Sequence, residues 1–131
     1  MNTLAAVITL LKAQSNIAAL VSTRVYGVDF PGNKDSFPLI VVTRVGGDSD
    51  PIIPVSHHRF DIRCLGKTQP EANSVYDALR VLHGQTGLSV GGYSFVSLRE
   101  STGPMDLQEP VTDSESWDCV FSTWEITIAT A

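Results

Sequence analysis

The stretch HRFDIRCLGKTQPEANSVYDALRVL, residues 58–82, decides the fold because an alternating strand leads directly into an amphipathic helix. Apolar and charged residues alternate over its first part, as in a strand with one face on a core. The core face carries Phe60, Ile62 and Cys64, and the opposite face carries Arg59, Asp61 and Arg63. We therefore expect a strand over 55–65 whose polar face either meets a neighbouring subunit or is exposed to solvent.

The second part of this stretch has the spacing of a helix. Thr68 or Gln69 can cap its start, and Pro70 and Glu71 are favourable in a first turn. Gly84 is the expected end. The predicted buried stripe consists of Ala72, Val75, Tyr76, Leu79 and Leu82.

Upstream, residues 39–45 are rich in β-branched side chains and apolar on both sides. This pattern predicts a central strand that is covered on both faces. Two glycines should end the strand, and Gly46–Pro54, which contains Asp48 and Asp50, is expected to be a loop.

The chain begins with a pattern typical of helices. Leu4, Val7, Ile8 and Leu11 recur at the spacing of one buried helical stripe. Ser15 is a plausible cap for a second, shorter helical turn.

The C-terminal part predicts two strands around a long loop. The first covers 93–99, with Phe95 and Leu98 on opposite sides by simple alternation, and the second covers 117–130. Ser101–Ser116 is expected to be an acidic loop, and such long loops are often functional. Its carboxylates are Asp106, Glu109, Asp113 and Glu115. Trp117, at the mouth of this loop, is either the edge of the core or an interface anchor.

These elements predict an α+β fold, a mostly antiparallel sheet with helices packed on one face, in a single domain over 1–131. A parallel winding would need a helix between most strands, and only one such crossover is expected. The composition, 43% hydrophobic and 18% charged, is that of a globular chain. We expect no membrane span and no signal peptide, and therefore a chain made in the cytoplasm.

Charge and motifs argue against several functions. The formal net charge of −5 disfavours a protein that grips nucleic acid by its phosphates. His57 and His58 are adjacent, so in a strand they face opposite sides and cannot share a metal. Cys64 and Cys119 lie in apolar strands and should be buried, reduced and inert. The sequence contains no phosphate-binding loop and no nucleophile elbow. We expect no catalytic residue, no cofactor and no metal.

Several segments together are similar to a known family. They are ALVSTRVYG (19–27), FPLIVVTRVGG (37–47), HRFDIRCLG (58–66) and the helix from Gln69, followed by a final hairpin. In this order, over nearly the whole chain, they resemble the tail completion, or tail terminator, proteins of long-tailed (siphovirus-type) bacteriophages.

This resemblance implies a structural virion protein without catalytic residues. Six copies would form a ring at the head-proximal end of the tail tube, end tube polymerisation and offer a docking surface to the neck proteins of the head. DNA would pass through the ring without specific binding. The alternatives are another neck component, such as a head completion, connector or minor tail protein, a small enzyme or ligand-binding α+β domain, and a dimeric host interaction module.

The resemblance and the sequence pattern together indicate candidate interface residues. They are Asp48, Asp50, Arg59, Asp61, Arg63, Asp106, Glu109, Asp113, Glu115 and Trp117. The expected partners are copies of the same chain, the tail tube protein and the connector or neck proteins. A ring interface is heterologous, so the chain needs two different complementary patches.

Overall fold

The computed structural model describes the backbone of residues 3–27, 30, 36–49, 55–110 and 116–129, and their side chains except at 48, 49, 109, 110 and 116. Three helices and six strands follow one another within these residues. They are α1 (Thr3–Ala13), α2 (Ser15–Val21), β1 (Val25–Tyr26), β2 (Leu39–Ser49), β3 (Val55–Gly66), α3 (Gln69–Arg80), β4 (Thr86–Val90), β5 (Tyr93–Pro110) and β6 (Ser116–Ala129).

The strands form one mixed sheet in the order β1-β2-β3-β6-β5-β4. The two-residue strand β1 runs parallel to β2, and every other neighbouring pair is antiparallel. The predicted α+β class with a mostly antiparallel sheet is confirmed. The long central ladder of β3 with β6 positions most of the residues discussed below.

All three helices pack on one face of this sheet, as expected. Their buried side chains share one cluster with Phe60, Ile62 and Cys64 of β3 and with alternate residues of β6. Trp124 is 1% exposed in this cluster, and its indole Nε1 donates to the buried Ser122 hydroxyl at 2.9 Å. The hydroxyl within the apolar row of β6 therefore satisfies the one polar atom of the largest core side chain.

A smaller apolar cluster lies on the opposite, helix-free face. It contains Phe37, Leu39, Val41, Leu65 and Cys119. Residues 39–42 alternate between the two clusters and all four are fully buried, so β2 is covered on both faces as predicted. Cys64 and Cys119 belong to different clusters and form no disulfide within the described part of the chain, and burial raises the pKa of Cys64.

The helix α3 begins as the sequence predicts. Thr68 is the capping residue, and its hydroxyl accepts from the Glu71 backbone N–H at 3.4 Å. The Glu71 carboxylate accepts in return from the Lys67 backbone N–H at 2.9 Å. The helix ends at Arg80, before the expected stop at Gly84, and a turn over 81–84 follows.

Two predicted loops were wrong over the residues that the structure describes, whereas their parts 50–54 and 111–115 lie outside these residues. Ser101–Ser116 is largely strand, because β5 continues to Pro110 and β6 begins at Ser116. Likewise β2 runs through both of its glycines to Ser49. A bulge between Arg44 and Gly46 and irregular pairing between 100 and 105 let these strands accommodate glycine and proline. Asp48, Asp106 and Glu109 therefore lie on strands.

Two local predictions were also wrong. A bulge between Phe95 and Ser97 shifts the alternation of β5, so Phe95 and Leu98 both face the helix-side core. The residue that precedes α2 as its cap is Gln14, not Ser15, and the Gln14 amide bonds back to Leu10. The expected stripe of α1 is present but wider, since Val7 and Leu11 are buried together with Ala6 and Leu10.

Among the described residues, no single helix is long and apolar enough to cross a membrane. Only α1 and α2 taken together meet that test, and they are bent by 88° relative to each other.

Candidate functional site

The polar face predicted for β3 lies on the helix-free side of the sheet. Arg59 and Arg99 stand on either side of Glu125 in the register of β3, β6 and β5. Glu125 and Arg99 form an ion pair, and the Arg59 guanidinium lies over Gly46, where a Cβ atom would be 3.1 Å from Nη2. Charges alternate along this row, so it carries little net charge of its own.

The next residues of β3 are bonded within the sheet. Asp61 accepts from the Thr123 hydroxyl at 2.9 Å, and His57 shares a 2.9 Å hydrogen bond with Thr127. Arg63 is half-buried beside Phe121. The row borders an open depression of about 780 Å³. It is a broad polar surface suited to contact with another macromolecule.

Trp117 closes the other end of the helix-free face. Its ring makes edge-to-face contacts with Phe30 and Phe37 at centroid distances of 5.8 and 5.7 Å. The side chain is half-buried, and its buried Nε1 has no hydrogen-bond partner among the described residues. These contacts give Trp117 a place at the edge of the smaller cluster, and Trp124 points to the opposite face as the seven-residue spacing predicts.

The acidic candidate residues that the structure describes lie on β2 and β5. Asp106 is exposed on the helix side of β5, where its carboxylate accepts from Gln69 at the start of α3 at 3.0 Å. Asp48 and Glu109 lie on β2 and β5, but only their backbone is described. Asp50, Asp113 and Glu115 lie outside the described residues. The fold thus places Asp48 at one end of the sheet and Asp106 and Glu109 towards the other.

The sequence pattern did not predict one buried polar cluster, which lies on the helix side of the sheet. Glu100 has a side chain only 8% exposed, which accepts from the Tyr76 hydroxyl and lies 3.6 Å from Arg80 Nε. Its backbone N–H donates to His83 Nδ1 at 2.9 Å. Arg80 thus pairs with a carboxylate of β5 that is 20 residues away in sequence, which only the tertiary fold could show.

We expect Tyr76→Phe to lower the free energy of unfolding by about 1.5 kcal/mol, because it removes a hydrogen bond to a buried carboxylate. Burial, and next the hydrogen bond to Glu100, raise the pKa of Tyr76, so the hydroxyl stays a donor. Urea unfolding followed by circular dichroism measures the change. Ser74→Ala, on the exposed side of the same helix, is the control. Equal stability of Tyr76→Phe and wild type would contradict the proposed bond.

No arrangement suited to metal binding is found in the described part of the chain, where no three His, Cys, Asp or Glu side chains converge. His57 and His58 face opposite sides, with His58 beside Phe60 at a ring distance of 6.2 Å. The surfaces available for function are therefore the polar helix-free face, the acidic strand ends and the sheet edges.

Comparison with known proteins identifies the family. Residues 5–126 match the family described as Tail completion protein gp17. The chain belongs to this family. It is accordingly a structural protein of the tail or neck of a phage-like particle, and the resemblance read from its sequence is confirmed.

A solved structure shares the fold of this tail completion family member. It is a chain in "Virion of native gene transfer agent (GTA) particle", with a TM-score of 0.62 and 18% sequence identity. The match covers 98% of this chain and 99% of that chain. No curated protein matches the sequence.

Proposed function

We propose that this chain caps the head-proximal end of the tail tube as a ring, ends tube polymerisation and provides the surface on which the head docks. The observation that carries the proposal is the tail completion family match across 122 consecutive residues, 5–126. The chain would act in the virion at that end of the tail, after assembly in the host cytoplasm. Its partners would be other copies of itself, the tail tube protein and the connector or neck proteins.

The charge of the chain supports a role around DNA that does not hold DNA. Six copies at −5 each would carry a formal charge of −30. An acidic ring repels phosphates, so DNA can pass during ejection without being retained. No catalytic residue, metal or cofactor enters this function.

The candidate interface residues fit two sides of such a ring. Arg59, Asp61 and Arg63 offer mixed charge on the helix-free face, and the acids Asp48, Asp106 and Glu109 lie towards the strand ends. Asp50, Asp113 and Glu115, which lie outside the described residues, are proposed to take part as well. Trp117 would make the surface between these two groups of residues more rigid. A head-to-tail ring needs unlike patches of this kind, because each copy offers one surface to each neighbour.

Deletion of the gene from its phage or prophage tests the proposal. We expect tails of abnormal, unregulated length that lack heads, measured by electron microscopy, because tube subunits would continue to add. Complementation with the wild-type gene should restore uniform tails. Tails of normal length beside unjoined heads would assign the chain to another neck position, and intact infectious particles would overturn a virion role.

A further inference from the structure

The sheet has two open edges among the described residues. At one edge, β4 pairs with β5 only as far as Ser97, and residues 83–85 form hydrogen bonds to β5 as far as Glu100. From 101 to 110, β5 has no further strand beside it. At the other edge, β1 covers only Ile40 and Val41 of β2, which leaves 43–49 open. Open edges are templates for pairing with another chain.

The backbone directions at the β5 edge follow from its hydrogen bonds. Leu98 points both its N–H and its C=O away from β6, since they bond to Gln85 at 3.1 Å and Gly84 at 2.8 Å. Leu98 lies opposite Ile126, and β6 pairs with β3 without any register shift from 129 to 118. Along an antiparallel strand, the backbone N–H and C=O of successive residues point alternately towards one neighbouring strand and towards the other. The backbone groups of the β5 residues that lie opposite 120, 118 and 116 of β6 therefore also point away from β6. These are Asp106, Gln108 and Pro110.

The same reasoning applies to β2. The Ile40 N–H donates outward to the Arg24 carbonyl at 3.0 Å, and Ile40 lies opposite Cys64. Alternation then directs the N–H and C=O of Arg44, opposite Phe60, towards the open edge. The side chain of Arg44 is on the helix side, where it donates to the Thr3 hydroxyl at 3.0 Å. Asp106 lies on that same side beside Gln69.

Strand direction makes the two edges compatible. The four strands β2, β3, β6 and β5 alternate in direction, so β2 and β5 are antiparallel to each other. A neighbouring copy placed by rotation about a ring axis can therefore set its β2 antiparallel beside β5. The residues whose backbone groups point out of the two edges then face each other. Their side chains lie on the helix side of the sheet in both copies, as a continuous sheet requires.

We propose that copies of this chain join by pairing of the open β2 edge of one copy with the open β5 edge, residues 105–110, of the next, with Arg44 facing Gln108, or facing Asp106 where only 105–108 take part because β1 covers Ile40 and Val41. This inference rests on the proposed ring. Two of the exposed large apolar side chains, Val45 at 45% and Met105 at 49%, lie on these two edges. Pairing of two β5 edges about a two-fold axis is disfavoured because it brings acidic edges together.

Disulfide trapping in assembled particles tests the pairing. The variants are Arg44→Cys with Asp106→Cys, and Arg44→Cys with Gln108→Cys, which sample the two registers. Cys64 and Cys119 are fully buried and do not compete. After oxidation, we expect one double variant to give a ladder of cross-linked species beyond the dimer. Cross-linked dimers from Asp106→Cys or Gln108→Cys alone, or no cross-link from either double variant, would overturn the pairing.

A matched pair of substitutions tests the edge without a cross-link. Gln108→Pro removes an outward N–H and keeps the β5–β6 ladder, whereas Gln108→Ala removes the side chain and its 3.1 Å bond to Asp118 but keeps the N–H. We expect both purified chains to have the same midpoint of urea unfolding. In complementation, only Gln108→Pro should lower particle yield, by at least tenfold. Equal yields would contradict the edge pairing.

The two proposals fail in different ways. If tails keep abnormal lengths after gene deletion but neither double variant cross-links in wild-type-length tails, the ring function stands and this interface is wrong. If gene deletion leaves particles intact, the ring function fails, whatever the cross-links show.

Discussion

Trp124→Ala is expected to lower the free energy of unfolding by about 3–5 kcal/mol, a large part of the roughly 5–15 kcal/mol that stabilises a domain of this size. Trp124 is the largest fully buried side chain, and it lies where β6 packs under the helices. The truncation leaves a cavity and also leaves the buried Ser122 hydroxyl without its indole partner. Both losses act in the native state, so their costs add to one another.

Urea unfolding followed by far-ultraviolet circular dichroism measures this loss without relying on tryptophan fluorescence. Trp117→Ala is the matched control, since it removes the same side chain from the same strand on the opposite face. Trp117 is only half-buried, so we expect a smaller loss of about 1–2 kcal/mol. A larger effect at Trp117 than at Trp124 would show that the smaller cluster, not the helix-side core, dominates stability.

Sequence periodicity predicted those elements whose burial is one-sided. From 60 to 64 in β3 and from 120 to 128 in β6, apolar residues occupy alternate positions except at Ser122, and the observed ladder between these strands has no register shift. The capping residue Thr68 was identifiable because local hydrogen bonds to the backbone decide where a helix begins. These features depend on neighbours in sequence, which a pattern can report.

The failures concern features that depend on neighbours in space. Gly103 and Pro104 suggested a loop, but β6 pairs with 105–110 and holds this segment as strand. The ion pair of Arg99 with Glu125 and the cluster around Glu100 join residues far apart in the chain. For the candidate interface, the opposite faces of Phe60 and Arg59 were predictable, whereas the open edges became visible only with the strand order.

Gly66→Ala is expected to lower the free energy of unfolding by about 3 kcal/mol, the upper end of typical overpacking costs. A Cβ atom at Gly66 would lie 2.6 Å from the Ala72 backbone nitrogen and 2.9 Å from the Thr68 carbonyl oxygen. Both contacts involve the backbone of the first turn of α3, which cannot rotate away as a flexible side chain can. The end of β3 approaches α3 so closely that only glycine fits between them.

Gly27→Ala is a suitable comparison because, among the described residues, the added Cβ would meet only Leu4 Cδ2, at 3.4 Å, so a change within about 0.5 kcal/mol is expected. Equal effects of the two substitutions would contradict the close approach of α3 to β3. If Gly66→Ala does displace the start of α3, Gln69 must move with it and lose its bond to Asp106. Asp106 lies on the open edge of β5, so Gly66→Ala should also weaken the proposed contact between copies. The stability of the free chain and the yield of particles would then fall together for this variant, whereas Gln108→Pro should lower the yield alone.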